Sequence, residues 1–268
     1  MFSGFKRFKE SMSRREGLAR EKIDLSKYIH ASDFSLEKEP FPHVVVGNFF
    51  KEDLYRDLSN YFKSILDRGL SESESTTKFK PFLGRREKFE YDGYIYTPDP
   101  GEDVTLEPFF SVAWSRLFSQ LFDQPIGLCT SLALHYHPSE NRTGYVHNDY
   151  SVRWFSSLDT IQNNIIFRER GRDEFPNQQP QMRSIALIYY LGNDSWDQGD
   201  GGETGLYEQK NGVPVKAVAP INNRLFAFRI SPNSFHAFQR NLKPRSSIIQ
   251  WFHTDPRWSK KTYGFIPE

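Results

Sequence analysis

The chain has 268 residues, enough for one decorated domain or two small ones. Its 35 Lys+Arg against 34 Asp+Glu leave a formal net charge of +1, so it lacks the one-signed field that holds nucleic acid. Cys129 is the only cysteine, which excludes disulfides within the chain, cysteine zinc sites and iron–sulfur clusters; any metal must be held by His, Asp and Glu.

Residues 1–40 read as a basic amphipathic N-terminal extension. Phe2, Phe5, Phe8 and Met12 recur at three- and four-residue steps among Lys6, Arg7, Lys9, Arg14 and Arg15. On a helix this makes an apolar stripe flanked by cations, as in helices lying on an anionic membrane surface; a terminal helix packed on the body of the protein carries the same stripe. No apolar core of a secretion signal is present, and no run approaches the roughly 18 apolar residues of a membrane-spanning helix. The expectation is a cytoplasmic protein, peripheral on the inner face of the membrane.

The domain proper is expected over 41–268. Phe41 to Val46 reads as a strand closed by Gly47-Asn48. Leu54, Leu58, Tyr61, Phe62 and Ile65 share one helical face, with Gly69 where a C-terminal cap belongs. A polar loop follows, then a second helix over 108–122 with Phe110, Trp114, Leu117, Phe118 and Leu121 facing inward. From Pro125 the period changes to two, with strands expected over 127–137, 183–191, 205–209, 213–218, 224–230 and 246–253. In the second of these, Ile185, Leu187 and Tyr189 alternate with Ala186, Ile188 and Tyr190, so both faces are apolar and both are covered. Short strands after helices predict an α+β, mostly β fold: a sandwich or jelly roll with N-terminal helices packed outside. Residues 151–182 form an insertion rich in Asn, Gln and Arg, placed to serve as a lid or recognition loop.

Two histidine neighbourhoods carry chemistry. In extended backbone His147 and Asp149 project to one face across Asn148, so an imidazole and a carboxylate can share an ion. His236, just after the 224–230 strand, supplies a third ligand. Two histidines and one carboxylate bind one face of an octahedral ion and leave three positions open, as non-haem Fe(II) oxygenases require. Arg245, nine positions after His236, begins the alternating run Arg245, Ser247, Ile249, Trp251. An inward guanidinium is costly unless paired. A dicarboxylate chelating the metal at one end and meeting Arg245 at the other supplies that partner.

With His147-Asn148-Asp149, Gly201-Gly202-Glu203-Thr204, His236-Ala237, Arg245 and Trp251-Phe252 in this order, the segment 127–256 resembles the Fe(II)/2-oxoglutarate-dependent oxygenases, most closely their prolyl-4-hydroxylase-like branch. The turn 238–244 is fuller than that branch usually has. The resemblance implies a double-stranded β-helix, or cupin-like jelly roll, using Fe(II), 2-oxoglutarate and O2. It assigns His147, Asp149 and His236 to the metal, with Asp149 favouring hydroxylation. It assigns Arg245 to the distal carboxylate of the co-substrate, with Ser247 on the same face and Lys243 as a rival. Tyr136, in phase with Leu132 and Leu134, is expected either to hydrogen-bond that carboxylate or to be a plain core tyrosine. His135 and His137 are expected at the surface, and His253 and Glu203 in structural roles. For substrate, the basic N-terminus and Arg153, Arg168, Arg170 and Arg172 of the insertion favour a lipid-linked sugar such as the Kdo of lipopolysaccharide inner core. The alternatives are a peptidyl-prolyl or other protein side chain, and a non-catalytic cupin-like protein that only binds a ligand.

Overall fold

The computed structural model describes residues 23–30, 34–70, 80–81, 93–158, 162–163 and 178–267. The Phe2–Met12 stripe and Arg168, Arg170 and Arg172 of the insertion lie outside the described residues. Strand β1 (His43–Val46) precedes helix α1 (Glu52–Leu66), then β2 (Lys80–Pro81) and β3 (Tyr94–Tyr96). A 3-10 helix, Val104–Phe110, runs into helix α2 (Val112–Phe122), whose start is capped by Ser111. Then come β4 (Cys129–His137), β5 (Val152–Phe155), β6 (Gln162–Asn163) and β7 (Gln179–Tyr190). The chain continues through β8 (Thr204–Tyr207), β9 (Lys216–Val218), β10 (Arg224–Arg229), β11 (Phe235–Phe238) and β12 (Arg245–Thr254), and ends in helix α3 (Pro256–Tyr263).

The major sheet runs β1-β10-β7-β12-β4-β3-β2, with β5 on β7 and β6 on β4; a smaller sheet runs β11-β8-β9. Its two faces bury separate cores. Ile185, Leu187 and Tyr189 of β7, Leu132 and Leu134 of β4 and Ile248 of β12 face α1, α2 and the 3-10 helix, where Phe49, Phe50, Phe109, Trp114 and Phe118 fill the space. Burial of each such side chain contributes about 1.5–3 kcal/mol. Ala186, Ile188, Tyr190, Phe226, Phe228 and Trp251 face the other way, toward Leu206 and Val218 of the small sheet. The double apolar alternation of β7 thus has its physical origin: helices on one side, the second sheet on the other. This is the double-stranded β-helix, or jelly roll, with helices packed outside.

Two findings refine the expected boundaries. Within the extension, Leu25, Tyr28, Ile29 and Phe34 pack against the helix-side core, and Ile29 bridges to Phe50. The insertion begins as strand β5, whose register Val152↔Met182 to Phe155↔Gln179 ties it to the start of β7.

One irregularity positions the site. β12 and β7 pair steadily from Ser247↔Tyr190 to Phe252↔Ile185, then shift so that His253 faces Arg183. Ser184 is the residue left over. A single-residue bulge reverses the alternation beyond it, which turns Arg183 away from the helices and into the barrel.

Candidate metal centre and co-substrate pocket

His147 and His236 come together through backbone pairing. The His147 N–H donates to the His236 carbonyl at 3.0 Å and the His236 N–H returns the bond at 2.8 Å. Such a pair puts both side chains on one face of the ladder, and the two rings lie 4.4 Å apart between centroids. The ring Nδ1 of His147 lies 3.0 Å from the Tyr145 carbonyl, and that of His236 lies 3.0 Å from the Ser234 carbonyl. A carbonyl can only accept, so Nδ1 carries the proton in both rings and each Nε2 presents its lone pair to the common centre. Tyr145 stacks on His147 at 4.7 Å and Phe228 packs on His236 at 4.7 Å, limiting ring rotation.

Asp149 reaches the same point through a left-handed backbone, with φ of 57°. Asn148 holds that turn: its Oδ1 accepts from the Tyr150 N–H at 3.1 Å and its Nδ2 donates to the Pro232 carbonyl at 2.7 Å. Asp149 Oδ1 is 3.8 Å from His147 Nε2, and Oδ2 is 3.5 Å from His236 Nε2. One ligand atom from each of the three residues lies within 4.8 Å of the others, the one such cluster of three or more metal-ligating groups among the described residues.

Both carboxylate oxygens of Asp149 are also held from behind. Arg183 Nη1 donates to Oδ1 at 2.6 Å and Trp251 Nε1 donates to Oδ2 at 2.7 Å, while the guanidinium lies 4.0 Å above the indole ring. Burial alone would raise the Asp149 carboxyl; Arg183 and the two imidazoles outweigh it and hold the group well below the usual carboxylate range. Burial and the neighbouring His236 bring His147 down to about 4. The centre is therefore an ionised carboxylate and a neutral His147 at physiological pH, the protonation states a divalent ion requires.

Arg245 is 4% exposed and stands where β12 begins. Its Nη2 donates to Thr204 Oγ1 at 3.1 Å and to Tyr190 Oη at 3.4 Å, and its guanidinium lies 5.1 Å from the rings of Tyr190 and Phe238. Its Nε and the fully buried Ser247 Oγ have no hydrogen-bond partner. Two orphaned buried donors on one strand face fit an incoming carboxylate, which would satisfy both. Lys243 is no rival: its Nζ is bound to Asp200 at 2.8 Å and to the Ser195 carbonyl at 2.8 Å, in the loop beyond the barrel.

The remaining sequence candidates divide. Of the two readings of Tyr136 the structure takes the core tyrosine and not the carboxylate contact: it lies opposite Ser246, on the face of Leu132 and Leu134, and packs against the helix-side core beside Tyr94. Its being in phase with two leucines was the sign that it faces the helices. His135 and His137 are corrected. They pair with Ser247 and Arg245, are 5% and 4% exposed, and line the barrel interior. His253 is buried on that face too, with its ring 4.9 Å from Phe155 and Nδ1 3.2 Å from the Cys129 carbonyl. Arg153 pairs with Gln181, two residues before Arg183 on the same strand face, and lies within electrostatic reach of His253. Glu203 is outside the ligand cluster. Sequence reasoning gave no site role to Arg183, Tyr190 or Thr204; Tyr190 had a signal in its place on the inward face of β7, and Thr204 only in closing the glycine-rich motif.

Among known proteins, the 2OG-Fe(II) oxygenase superfamily matches residues 136–253. A prolyl 3,4-dihydroxylase of Ostreococcus tauri is 36% identical over 90 residues, 30% of this chain and 18% of its own length. A prolyl 3-hydroxylase of Mus musculus is 36% identical over 88 residues, 30% of this chain and 16% of its own length. The chain thus spans less than a fifth of the length of these curated relatives. In fold it is similar to a Pseudomonas putida prolyl-4-hydroxylase, with a TM-score of 0.53 at 18% identity over 87% of this chain and 96% of that one. It is likewise similar to a Trichoplax adhaerens prolyl hydroxylase, solved with a hypoxia inducible factor peptide, with a TM-score of 0.51 at 14% identity over 94% and 96%. The superfamily uses Fe(II), 2-oxoglutarate and O2, and the two-histidine, one-carboxylate centre with Arg245 and Ser247 across the barrel fits all three. Residues 136–253 thus match the 2OG-Fe(II) oxygenase superfamily over somewhat less than half of the chain, with the ligand set His147, Asp149 and His236 inside the matched segment.

Proposed function

We propose that the protein hydroxylates protein side chains, peptidyl-proline first among them, in a reaction dependent on Fe(II) and 2-oxoglutarate. The observation that carries this is the convergence of His147, Asp149 and His236 within 4.8 Å of one another, on a chain whose matched relatives are prolyl hydroxylases. His147, Asp149 and His236 would hold the iron through two Nε2 atoms and one carboxylate oxygen. Bound iron with 2-oxoglutarate and O2 supplies the chemistry: one oxygen atom enters an unactivated C–H bond, the other enters succinate, and CO2 leaves. Arg245 and Ser247 receive the distal carboxylate, and Tyr190 and Thr204 orient the guanidinium from behind. Arg183 and Trp251 fix Asp149, so that the carboxylate need not reorganise during turnover. Arg153, on the inward face of β5, is placed to donate to a substrate carbonyl or carboxylate.

A lipid-linked sugar such as Kdo is the weaker reading. It leans on the basic N-terminus and on Arg168, Arg170 and Arg172, which lie outside the described residues, and on Arg153, which suits a peptide carbonyl as well; neither of the two relatives above is named for such a substrate. No helix among the described residues is long and apolar enough to cross a membrane. The test is incubation with Fe(II) and 2-oxoglutarate against a proline-bearing peptide library and, separately, inner-core glycolipid. A peptide gaining the mass of one oxygen with matching succinate supports the proposal. Gain on the glycolipid alone replaces the substrate, and no succinate above a no-iron control with any acceptor leaves a binding protein.

A further inference from the structure

The small sheet does not end at β11. Beyond it lies the extended stretch 144–147, joined to β11 by the Gly144 N–H to the Phe238 carbonyl at 2.8 Å and by the two bonds exchanged between His147 and His236. The sheet order is therefore 144–147, β11, β8, β9, with 144–147 outermost. Tyr145 and His147 share a face, as residues two apart do in extended chain, and their rings stack at 4.7 Å on the metal side. Because His147 turns both its main-chain groups to β11, Val146 turns its own N–H and C=O outward. Neither group has a hydrogen-bond partner among the described residues, and Val146 is only partly buried. Such an edge is a template for one more strand. Its far end is cationic. The Arg240 N–H donates to Thr143 Oγ1 at 3.1 Å, which brings Arg240 beside Arg142; both are exposed, and neither forms an ion pair among the described residues.

We infer that an extended acceptor polypeptide docks by adding a strand to the outer edge of 144–147, bonded to the main chain of Val146, with the residue to be hydroxylated opposite His147 and an acidic residue near Arg142 and Arg240. The inference deepens the proposed function and rests on it. A residue opposite Val146 exchanges main-chain bonds with it and points its side chain away from the metal. Its neighbour, opposite His147, points toward the metal, with the two Cβ atoms about 4.5–5.5 Å apart. That neighbour occupies a position outside the hydrogen-bonded pairs, where an N–H would face away from the edge. Proline, which has no N–H, fits there without losing a ladder bond. At about 3.4 Å per residue, the carboxylate falls about four or five residues from the acceptor.

The test uses the full-length protein loaded with Mn(II) and 2-oxoglutarate. The probe is a fluorescein-labelled synthetic peptide with a single proline amid alternating valine and threonine and a glutamate pair toward each end, and binding is read by anisotropy. N-methylation of one of the residues flanking the proline should weaken binding by about threefold to tenfold, the loss of one neutral hydrogen bond. N-methylation two residues from the proline should change it by less than about twofold. Val146→Pro, which removes the N–H from the edge, should weaken the peptide to the same extent while Mn(II) and 2-oxoglutarate affinities hold. Arg142→Gln combined with Arg240→Gln should weaken it by about threefold at low salt and flatten its salt dependence. Binding that N-methylation weakens equally at every position, or at none, overturns the inference, as does a wild type that does not bind the peptide. With Fe(II) in place of Mn(II) the two claims separate. A peptide bound with the alternation but gaining no oxygen keeps the docking edge and counts against the proposed function; oxygen gained without the alternation keeps the function and sinks the edge.

Discussion

Replacing Arg183 with Met probes the electrostatic design of the centre most sharply. Arg183 is 4% exposed and its Nη1 sits 2.6 Å from Asp149 Oδ1. At that distance and an effective dielectric of about 20, the Coulomb attraction is about 6 kcal/mol, against which the desolvation of both charges must be set. Arg183→Met leaves the carboxylate buried with the Trp251 N–H and the imidazoles for company, and the net loss should be about 3–5 kcal/mol. The assay is urea unfolding of metal-free protein at neutral pH, where the midpoint should fall without a change in slope. Pairing the change with Asp149→Asn closes a double-mutant cycle. If the two groups neutralise one another, the double variant should cost at least about 2 kcal/mol less than the sum of the singles. The sign with pH follows from Asp149. Its folded value is depressed, so its stabilisation is present above the unfolded value of about 4 and is lost as pH falls through the folded one; the Arg183→Met deficit should shrink in acid. A single-variant cost under about 1 kcal/mol, or costs that simply add, would refute the reasoning.

Other outcomes follow from the same geometry. Burial, followed by Arg183 and Arg153, holds His253 well below the ordinary histidine value. The unfolded chain therefore binds a proton below about pH 6.5 that the folded chain refuses, and stability should fall by about 1.4 kcal/mol per pH unit per such histidine. His253→Phe should flatten the slope of urea midpoints measured between neutral and mildly acidic pH; an unchanged slope counts against it. Arg245→Met should raise the KM for 2-oxoglutarate by about tenfold to a hundredfold while Mn(II) affinity holds, with Arg245→Lys recovering part of it. Gly201 has φ of +75°, and a Cβ there would lie 1.8 Å from the Arg240 carbonyl oxygen, so Gly201→Ala should cost more than about 2 kcal/mol in thermal or urea unfolding. Gly47→Ala, with nothing within 4 Å, is its control and should cost far less.

The ligand set was legible because its parts are local: His-x-Asp needs two residues of chain, and His236 to Arg245 needs nine. The jelly roll was legible in the double apolar alternation of β7, which only a strand covered on both sides shows. Arg183 was not. Its orientation depends on the Ser184 bulge, and a one-residue slip in pairing leaves no mark in the composition of either strand. The faces of Tyr136 and its two flanking histidines turned on a different ambiguity. A tyrosine suits either a carboxylate contact or a core, so only the pattern Ser131, Ala133, His135, His137 against Leu132, Leu134, Tyr136 could decide, and it places the histidines inward rather than at the surface. The leucines belong with the large aromatic core under the helices, so the polar set had to face the barrel. Thr204 showed only as the end of a glycine-rich motif; its contact with Arg245 is made across the two sheets and is a property of the closed barrel alone.

His147, Asp149 and His236 are expected to bind one ferrous ion together. Anaerobic titration of Fe(II) into the wild-type protein and into His147→Ala, Asp149→Ala and His236→Ala, followed by equilibrium metal analysis, tests it directly. The expected result is a single site per chain in the wild type and its loss in each of the three variants. One variant retaining wild-type affinity, or a wild type that binds no stoichiometric iron, would contradict it.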